Sequence, residues 1–207
     1  MGKRKPAKPM ASVKTLLEYA KLGIRGRTWY PNATAQIDYV AKRAGWSTDE
    51  FCGVLATTSP RCSVLRNIRM SLHFMNFRND RVVPMKGIRK SLNDFLDGKG
   101  IHGPKTHAFY HNLAGRNDYV TLDVWMAYAL GIKQADFSLK ETHRVATERV
   151  VRVGEILRIS PAAAQACVWT GYRELQGRTD SPFDVIGEYL TAVSNDWVVE
   201  GCHTNRK

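Results

Sequence analysis

The chain has 207 residues, of which 43% are hydrophobic and 24% are charged. This composition can bury the core of one domain and excludes a disordered tail. Lysine and arginine number 31 against 19 acidic residues, so the formal net charge is +12. Such a cationic surface attracts polyanions, which predicts nucleic acid or an anionic membrane surface as the partner.

The sequence leads us to expect no targeting signal. No apolar run approaches the ~20 residues of a membrane-spanning helix, and no apolar stretch follows the basic start as in a signal sequence. We therefore expect a cytoplasmic protein that does not enter a membrane. Cys52, Cys62, Cys167 and Cys202 form no CxxC pair and lack zinc-finger spacing, which predicts reduced thiols.

Helix start and stop signals are frequent along the chain, and strand signals are nearly absent. Residues 1–10 predict a basic, flexible arm, and residues 11–207 predict a single helical domain. We expect about nine or ten helices joined by short turns, which makes the predicted class all-α.

The first two helices are predicted from their ends. Ser12 caps a helix that stops at Gly23, and a loop follows over residues 26–32. Thr34 is then expected to open a second helix that ends at Gly45.

Capping patterns mark the later helices. Ser47-Thr48-Asp49-Glu50 is typical of a capping box, in which the serine accepts from a first-turn amide while Glu50 reaches back. An apolar period then predicts a long helix from about Val64 to Met75. Further helix starts are predicted at Pro84, at Ser138 with Glu141, at Ser160-Pro161 and at Ser181-Pro182.

Residues 88–115 predict two helices joined by a glycine turn. The turn Gly100-Ile101-His102-Gly103 leads into a helix from Pro104 to about Leu113. Amide groups at the start of that helix, with the positive end of its dipole, suit a nucleic-acid phosphate. Glycine lets a phosphate approach the backbone closely. By itself, the turn fits a structural corner equally well.

Two polar residues follow this turn. Gly103-Pro104-Lys105-Thr106 is followed by Val120-Thr121-Leu122-Asp123, which sets the lysine and the aspartate eighteen residues apart. This pattern resembles the helix–hairpin–helix (HhH-GPD) DNA glycosylase superfamily. The resemblance covers roughly residues 48–175: residues 54–67 are similar to the family's helix end and wedge loop, and residues 166–172 to its closing helix.

Three features depart from the family pattern. One customary glycine of the hairpin is replaced or shifted, Trp125 stands where relatives often carry histidine, and the cysteine cluster of an iron–sulfur centre is missing. In these respects the chain looks like a divergent, largely phage-associated branch linked with hypermodified thymine, whose members have been called α-glutamyl/putrescinyl thymine pyrophosphorylases.

The resemblance implies two helical subdomains with a cleft between them and a DNA glycosylase activity. Such an enzyme flips a base out of double-stranded DNA and cleaves its N-glycosidic bond, which leaves an abasic site. The phage-linked branch implies a hypermodified pyrimidine, such as glucosylated 5-hydroxymethylcytosine or an elaborated thymine, and a role in defence against phages. We expect a monomer that uses no cofactor.

By resemblance, Asp123 is the carboxylate that stabilises positive charge on the sugar, and Lys105 is the amine that attacks the anomeric carbon to form a Schiff base. Two alternatives stay open. Lys105 could simply grip phosphate, which leaves cleavage of the abasic strand undecided. Asp123 could serve as a helix N-cap, a role compatible with catalysis.

Further residues are expected to bind DNA or to sandwich the extruded base. The aromatic candidates are no more than candidates, because most aromatic residues lie in a core. The predicted DNA-binding residues are Gly100, His102, Gly103, Thr106, Ser59, Arg61 and Arg66, and the predicted base pocket contains Trp125, Trp29 and Tyr30. Trp169 is a further aromatic candidate.

Other functions remain as alternatives. One is a group transferase or pyrophosphorylase acting on modified thymine, and another is a helix–hairpin–helix module that binds DNA by charge alone. His107 and His111 lie four apart on one predicted helix and could share a metal, but no third ligand is evident, so we expect no metal site.

Overall fold

The computed structural model describes residues 10–178 and 182–195, and this part of the chain is all-α, as predicted. Within these residues there are ten α-helices and no β-strand. The helices are α1 (Val13–Leu22), α2 (Trp29–Ala44), α3 (Thr48–Thr58), α4 (Val64–Phe77), α5 (Lys86–Leu96), α6 (Pro104–Leu113), α7 (Val124–Leu130), α8 (Lys140–Leu157), α9 (Pro161–Leu175) and α10 (Val185–Ser194). Nearly all of the predicted basic arm lies outside the described residues.

Serine caps fix several helix starts where the sequence predicts them. The hydroxyl of Ser12 accepts from the amide of Thr15 at 3.2 Å, and Ser47 accepts from Glu50 at 3.2 Å. Ser160 caps α9 in the same way, directly before Pro161. Each cap pairs an amide that the helix itself leaves unsatisfied.

Two predictions near the amino end are wrong. Helix α2 begins at Trp29 rather than at Thr34, so the second half of the predicted loop over residues 26–32 is helical. Pro31 permits this because it occupies the first turn, where a missing N–H group costs no hydrogen bond. The second half of the capping box also fails, because the Glu50 carboxylate pairs with Arg78 instead of reaching back.

Three later helix starts also differ from the prediction. Ser138 ends a short 3-10 helix, and its hydroxyl donates to the carbonyl of Ala135 at 2.7 Å, so α8 starts at Lys140 without a side-chain cap. Helix α5 starts two residues after Pro84. Asp184, not the predicted Ser181-Pro182, caps α10, and Ser181 lies outside the described residues.

The chain divides into two compact units, each with its own core. Unit 1 consists of Met1–Thr28 and Val120–Asp180. Within it, α9 packs against α1, α7 and α8. The buried side chains of this core include Leu16, Ala20, Leu122, Met126, Val150, Val153, Cys167 and Val168.

Glycines bring two helices of unit 1 into backbone contact. A Cβ atom at Gly171 of α9 would overlap the carbonyl oxygen of Tyr19, and one at Gly23 would overlap the backbone of Cys167 and Gly171. The end of α1 therefore lies directly on α9, which fixes the position of the side chains that α9 carries.

Unit 2 consists of Trp29–Tyr119 and Ser181–Lys207. Helix α3 is central, since it packs against α2, α4, α5 and α6, while α10 packs against α2 and α4. The core of this unit includes the fully buried side chains of Ile37, Phe51, Leu55, Ile68, Leu72, Leu92, Leu113 and Tyr189.

None of the helices in the described ranges combines the length and the apolar character that crossing a bilayer requires.

We expect Gly171→Ala to destabilise unit 1 by about 1–3 kcal/mol or more, because an added methyl group collides with backbone that cannot move aside. Gly87→Ala is the matched control: Gly87 lies in exposed helix with no atom within 4 Å of an added Cβ, so helix propensity predicts unchanged or slightly higher stability. Thermal and urea unfolding measure both variants. Equal stability of the two would show that the α1–α9 contact is not close.

Candidate functional site

The two helices and the glycine turn predicted over residues 88–115 are present in unit 2, where α5 and α6 flank the turn. Gly100 and Gly103 have φ values of 84° and 88°, in the left-handed region that favours glycine. Gly103 is the N-cap of α6 and contributes no side-chain hydrogen bond, while His102 is exposed in the turn. Thr106 is buried in the first turns of α6. The N-terminal end of α6 therefore begins at a glycine, which has no side chain to cover the first amides.

Lys105 lies in the first turn of α6, and its amine contacts the end of α3. The Nζ atom donates to the hydroxyl of Ser59 at 2.5 Å, and that hydroxyl in turn donates to the carbonyl of Ala56 at 2.8 Å. Nζ also lies 5.2 Å from the ring centroid of Phe109, one turn along α6. A helix C-terminus, a hydroxyl acceptor and an aromatic face all stabilise a cation.

An aromatic cluster adjoins this lysine within unit 2. The rings of Trp29 and Tyr30 each lie 6.3 Å from Phe109, and Trp29 meets Phe183 edge-on at 5.3 Å. Tyr30 is buried in the core, whereas Trp29 is partly exposed. Four residues predicted for the site, Ser59, Lys105, Trp29 and Tyr30, are therefore brought together through Phe109.

Asp123 is the N-cap of α7 in unit 1. Its Oδ1 atom accepts from the amide of Met126 at 2.9 Å, as the capping alternative predicts. Its Oδ2 atom accepts from the indole N–H of Trp169 on α9 at 3.0 Å. The side chain is partly exposed, so this doubly held carboxylate can still meet a ligand.

Arg173 lies against two indole rings beside Asp123. Its guanidinium carbon is 4.2 Å from the ring centroid of Trp169 and 5.3 Å from that of Trp125. Trp125, predicted for the base pocket, therefore has the guanidinium against its ring. Arg173 is not among the residues predicted from the sequence, although its four-residue spacing from Trp169 on one helix is a signal for this contact.

The exposed side of α4 carries arginines along an open groove in unit 2. The groove has a volume of about 750 Å³. Arg69 lies in it and donates to both carboxylate oxygens of Glu188, at 2.6 and 3.2 Å. Arg66 lines it too, and Arg61 is exposed in the preceding loop with φ 56°. The groove thus contains one of the two predicted DNA-binding arginines, Arg66, whereas Arg61 is not among its lining residues.

His107 and His111 lie in contact on α6, with their Nε2 atoms 3.0 Å apart. The guanidinium of Arg116 lies 3.3 Å from Nδ1 of His111. Arginine can only donate, so Nδ1 of His111 must accept and its Nε2 carries the proton. That proton occupies the position at which a metal would bind, and within the described ranges no three His, Cys, Asp or Glu side chains cluster to hold one.

Burial lowers the pKa of His111 from its usual range, and the neighbouring His107 and Arg116 lower this pKa further. Protonation would put a second cation beside the guanidinium and would remove the acceptor that Arg116 uses. The ring is also stacked on Tyr119 at 4.3 Å. The folded protein therefore holds this histidine neutral.

One comparison with known proteins assigns a family. A family model matches residues 20–176, well over half of the chain. The chain belongs to the DUF7178 family, a family of unknown function. The match contains Lys105, Asp123, Trp169 and Arg173. No curated protein and no solved structure matches the chain.

We expect this DUF7178 protein to lose stability as the pH falls below about 6.5, the ordinary pKa of histidine. Because the pKa of His111 is lowered by folding, the unfolded chain binds its proton first, and the free energy of unfolding falls with pH. His111→Phe keeps a ring on Tyr119 but cannot titrate. Its melting temperature should therefore fall less than that of the wild type between pH 7.5 and 5.5.

The difference between the two proteins isolates His111. Burial also lowers the pKa of His143 in unit 1, but this contribution is the same in both proteins and cancels. Equal pH dependence in the two would contradict a neutral, buried His111.

Proposed function

We propose that this DUF7178 protein is a DNA glycosylase with a helix–hairpin–helix glycosylase-like architecture. It acts as a monomer on double-stranded DNA, flips out a modified base and releases it, which leaves an abasic site. The proposed substrate is a hypermodified pyrimidine of phage DNA, such as glucosylated 5-hydroxymethylcytosine, and the proposed role is defence in the cytoplasm, where phage DNA enters.

The observation that carries the proposal is the Asp123 carboxylate, which two donors hold in a partly exposed position. Cleavage of an N-glycosidic bond develops positive charge on the sugar. A fixed carboxylate stabilises that charge and can orient the attacking water. An aspartate that only capped α7 would use one of its two carboxylate oxygens, whereas both oxygens of Asp123 accept hydrogen bonds.

The charge of the chain supports DNA as the substrate. A net charge of +12 favours a polyanion, and exposed Arg61 and Arg66 are available for phosphate contacts. The amides at the start of α6, which receive no side-chain cap, suit a phosphate in the same way.

For Lys105, the contacts support a role as an ammonium ion rather than as a nucleophile. A nucleophilic lysine must lose its proton, which burial beside other cations promotes. Lys105 instead meets Ser59 at the C-terminus of α3 and the face of Phe109. We therefore propose a hydrolytic reaction in which Asp123 activates water, and a separate role for Lys105 as a cation that binds a DNA phosphate.

We expect Asp123→Asn to lower base release by roughly 10²–10⁴-fold, the usual contribution of such a group, while DNA binding changes little. Asparagine caps helices as well as aspartate does, so α7 should remain folded. Base release is measured by mass spectrometry of free bases after incubation with duplexes that carry glucosylated 5-hydroxymethylcytosine, elaborated thymine or unmodified bases.

Asp184→Asn is the matched control, because Asp184 caps α10 through a hydrogen bond of 2.8 Å to the amide of Gly187. It should retain full activity. If the wild type releases no base from any duplex, the glycosylase proposal is wrong. Altered bases that stay attached to the DNA would instead identify a group transferase, and unaltered DNA with tight binding would identify a non-catalytic binder.

We expect the product strand to stay intact until alkali is added, because an ammonium form of Lys105 forms no Schiff base. Borohydride should trap no covalent complex with the wild type. Lys105→Arg keeps the cation and should retain more activity than Lys105→Ala, whose rate of release should fall by roughly 10–100-fold. A borohydride-trapped complex that disappears in Lys105→Arg would show that the lysine is a nucleophile after all.

A further inference from the structure

We propose that Trp169 is a positioning residue that orients the Asp123 carboxylate, an inference that rests on the glycosylase function proposed above. The starting observation is that this carboxylate accepts hydrogen bonds from two different helices. Oδ1 is held by the first turn of α7 and Oδ2 by the indole of Trp169 on α9.

The helix cap alone does not fix the carboxylate plane. The terminal torsion of aspartate is broad, so a carboxylate that is held at one oxygen still rotates. A second donor at the other oxygen sets the plane.

Trp169 is itself held in place from two sides. The Arg173 guanidinium stacks 4.2 Å from its ring and also reaches Trp125, two residues after Asp123. Behind it, α9 lies on the backbone of α1 at Gly171. Contacts therefore link Asp123 to Trp169, Trp169 to Arg173, and Arg173 to Trp125, which again lies on α7. This closed set of contacts holds the indole N–H of Trp169 in place.

An indole suits this role because it donates one hydrogen bond and carries no charge. A lysine or arginine in its place would neutralise the carboxylate that the reaction needs. A neutral donor orients the carboxylate without itself neutralising its charge.

Trp169→Phe is the direct test, since it keeps the ring under Arg173 and removes only the N–H group. We expect kcat for base release to fall roughly 10–100-fold, as for the loss of a hydrogen bond that orients a reacting group, with KM nearly unchanged. The acidic limb of the pH–rate profile should move to higher pH. Trp125→Phe, the matched control, removes an indole N–H beside the same guanidinium and should leave the acidic limb in place.

A second measurement separates this proposal from the glycosylase function. Carbon NMR of the DNA-free protein follows titration of the Asp123 carboxyl group without any substrate. The carboxyl group should titrate at higher pH in Trp169→Phe than in the wild type. This shift would support the positioning contact even if the wild type released no base, an outcome that would refute the glycosylase alone.

The opposite results refute the positioning role. An active wild type whose kcat, acidic limb and Asp123 titration are all unchanged in Trp169→Phe would overturn it. If Trp169→Phe does not fold, Arg173→Met gives the answer instead, because it keeps the indole but removes the stacked guanidinium. The Arg173→Met variant should show a smaller fall in kcat than is expected for Trp169→Phe, with KM unchanged. A wild-type kcat in Arg173→Met would show that the stacked guanidinium does not help Trp169 to position the carboxylate.

Discussion

The proposed function depends on one carboxylate and its two hydrogen bonds. Asp123 pairs an amide that would otherwise be unsatisfied at the start of α7, and the same group accepts from Trp169 on α9. The first bond is local and stabilises the helix start. The second crosses 46 residues of sequence and depends on the packing of unit 1. Because the two bonds hold different oxygens, the packing that buries α9 also orients this carboxylate at a partly exposed position.

The Lys105 side chain makes a different kind of contact from those of Asp123. Its surroundings in unit 2 include a hydroxyl, a helix C-terminus and an aromatic face, all of which stabilise positive charge. A cation held in this way suits the binding of a DNA phosphate. An amine that must first lose its proton would need the reverse environment. This contrast is why a hydrolytic reaction accounts for the geometry better than a Schiff base does.

The sequence predicts local features of this protein well and long-range contacts poorly. Serine caps, the glycine turn and the cap at Asp123 follow from residues within four positions of one another, so the pattern contains them. The start of α2 at Trp29 was not predicted, because Pro31 and Asn32 favour a turn unless packing selects a helix. The partners of the site residues were not predicted either. Ser59 and Lys105 are 46 positions apart in the sequence, and only folding brings them into contact.

Surface ion pairs offset the charge of some arginines in this cationic chain and not of others. Many acidic residues are already paired at the surface, as Glu188 is with Arg69 and Glu50 is with Arg78. Such exposed pairs add little stability, but they neutralise the arginines that take part. Arg61 and Arg66 form no ion pair within residues 10–178 and 182–195, so their charge is not offset locally. Under the proposed function, affinity for DNA therefore depends on where these arginines lie and not only on the total charge.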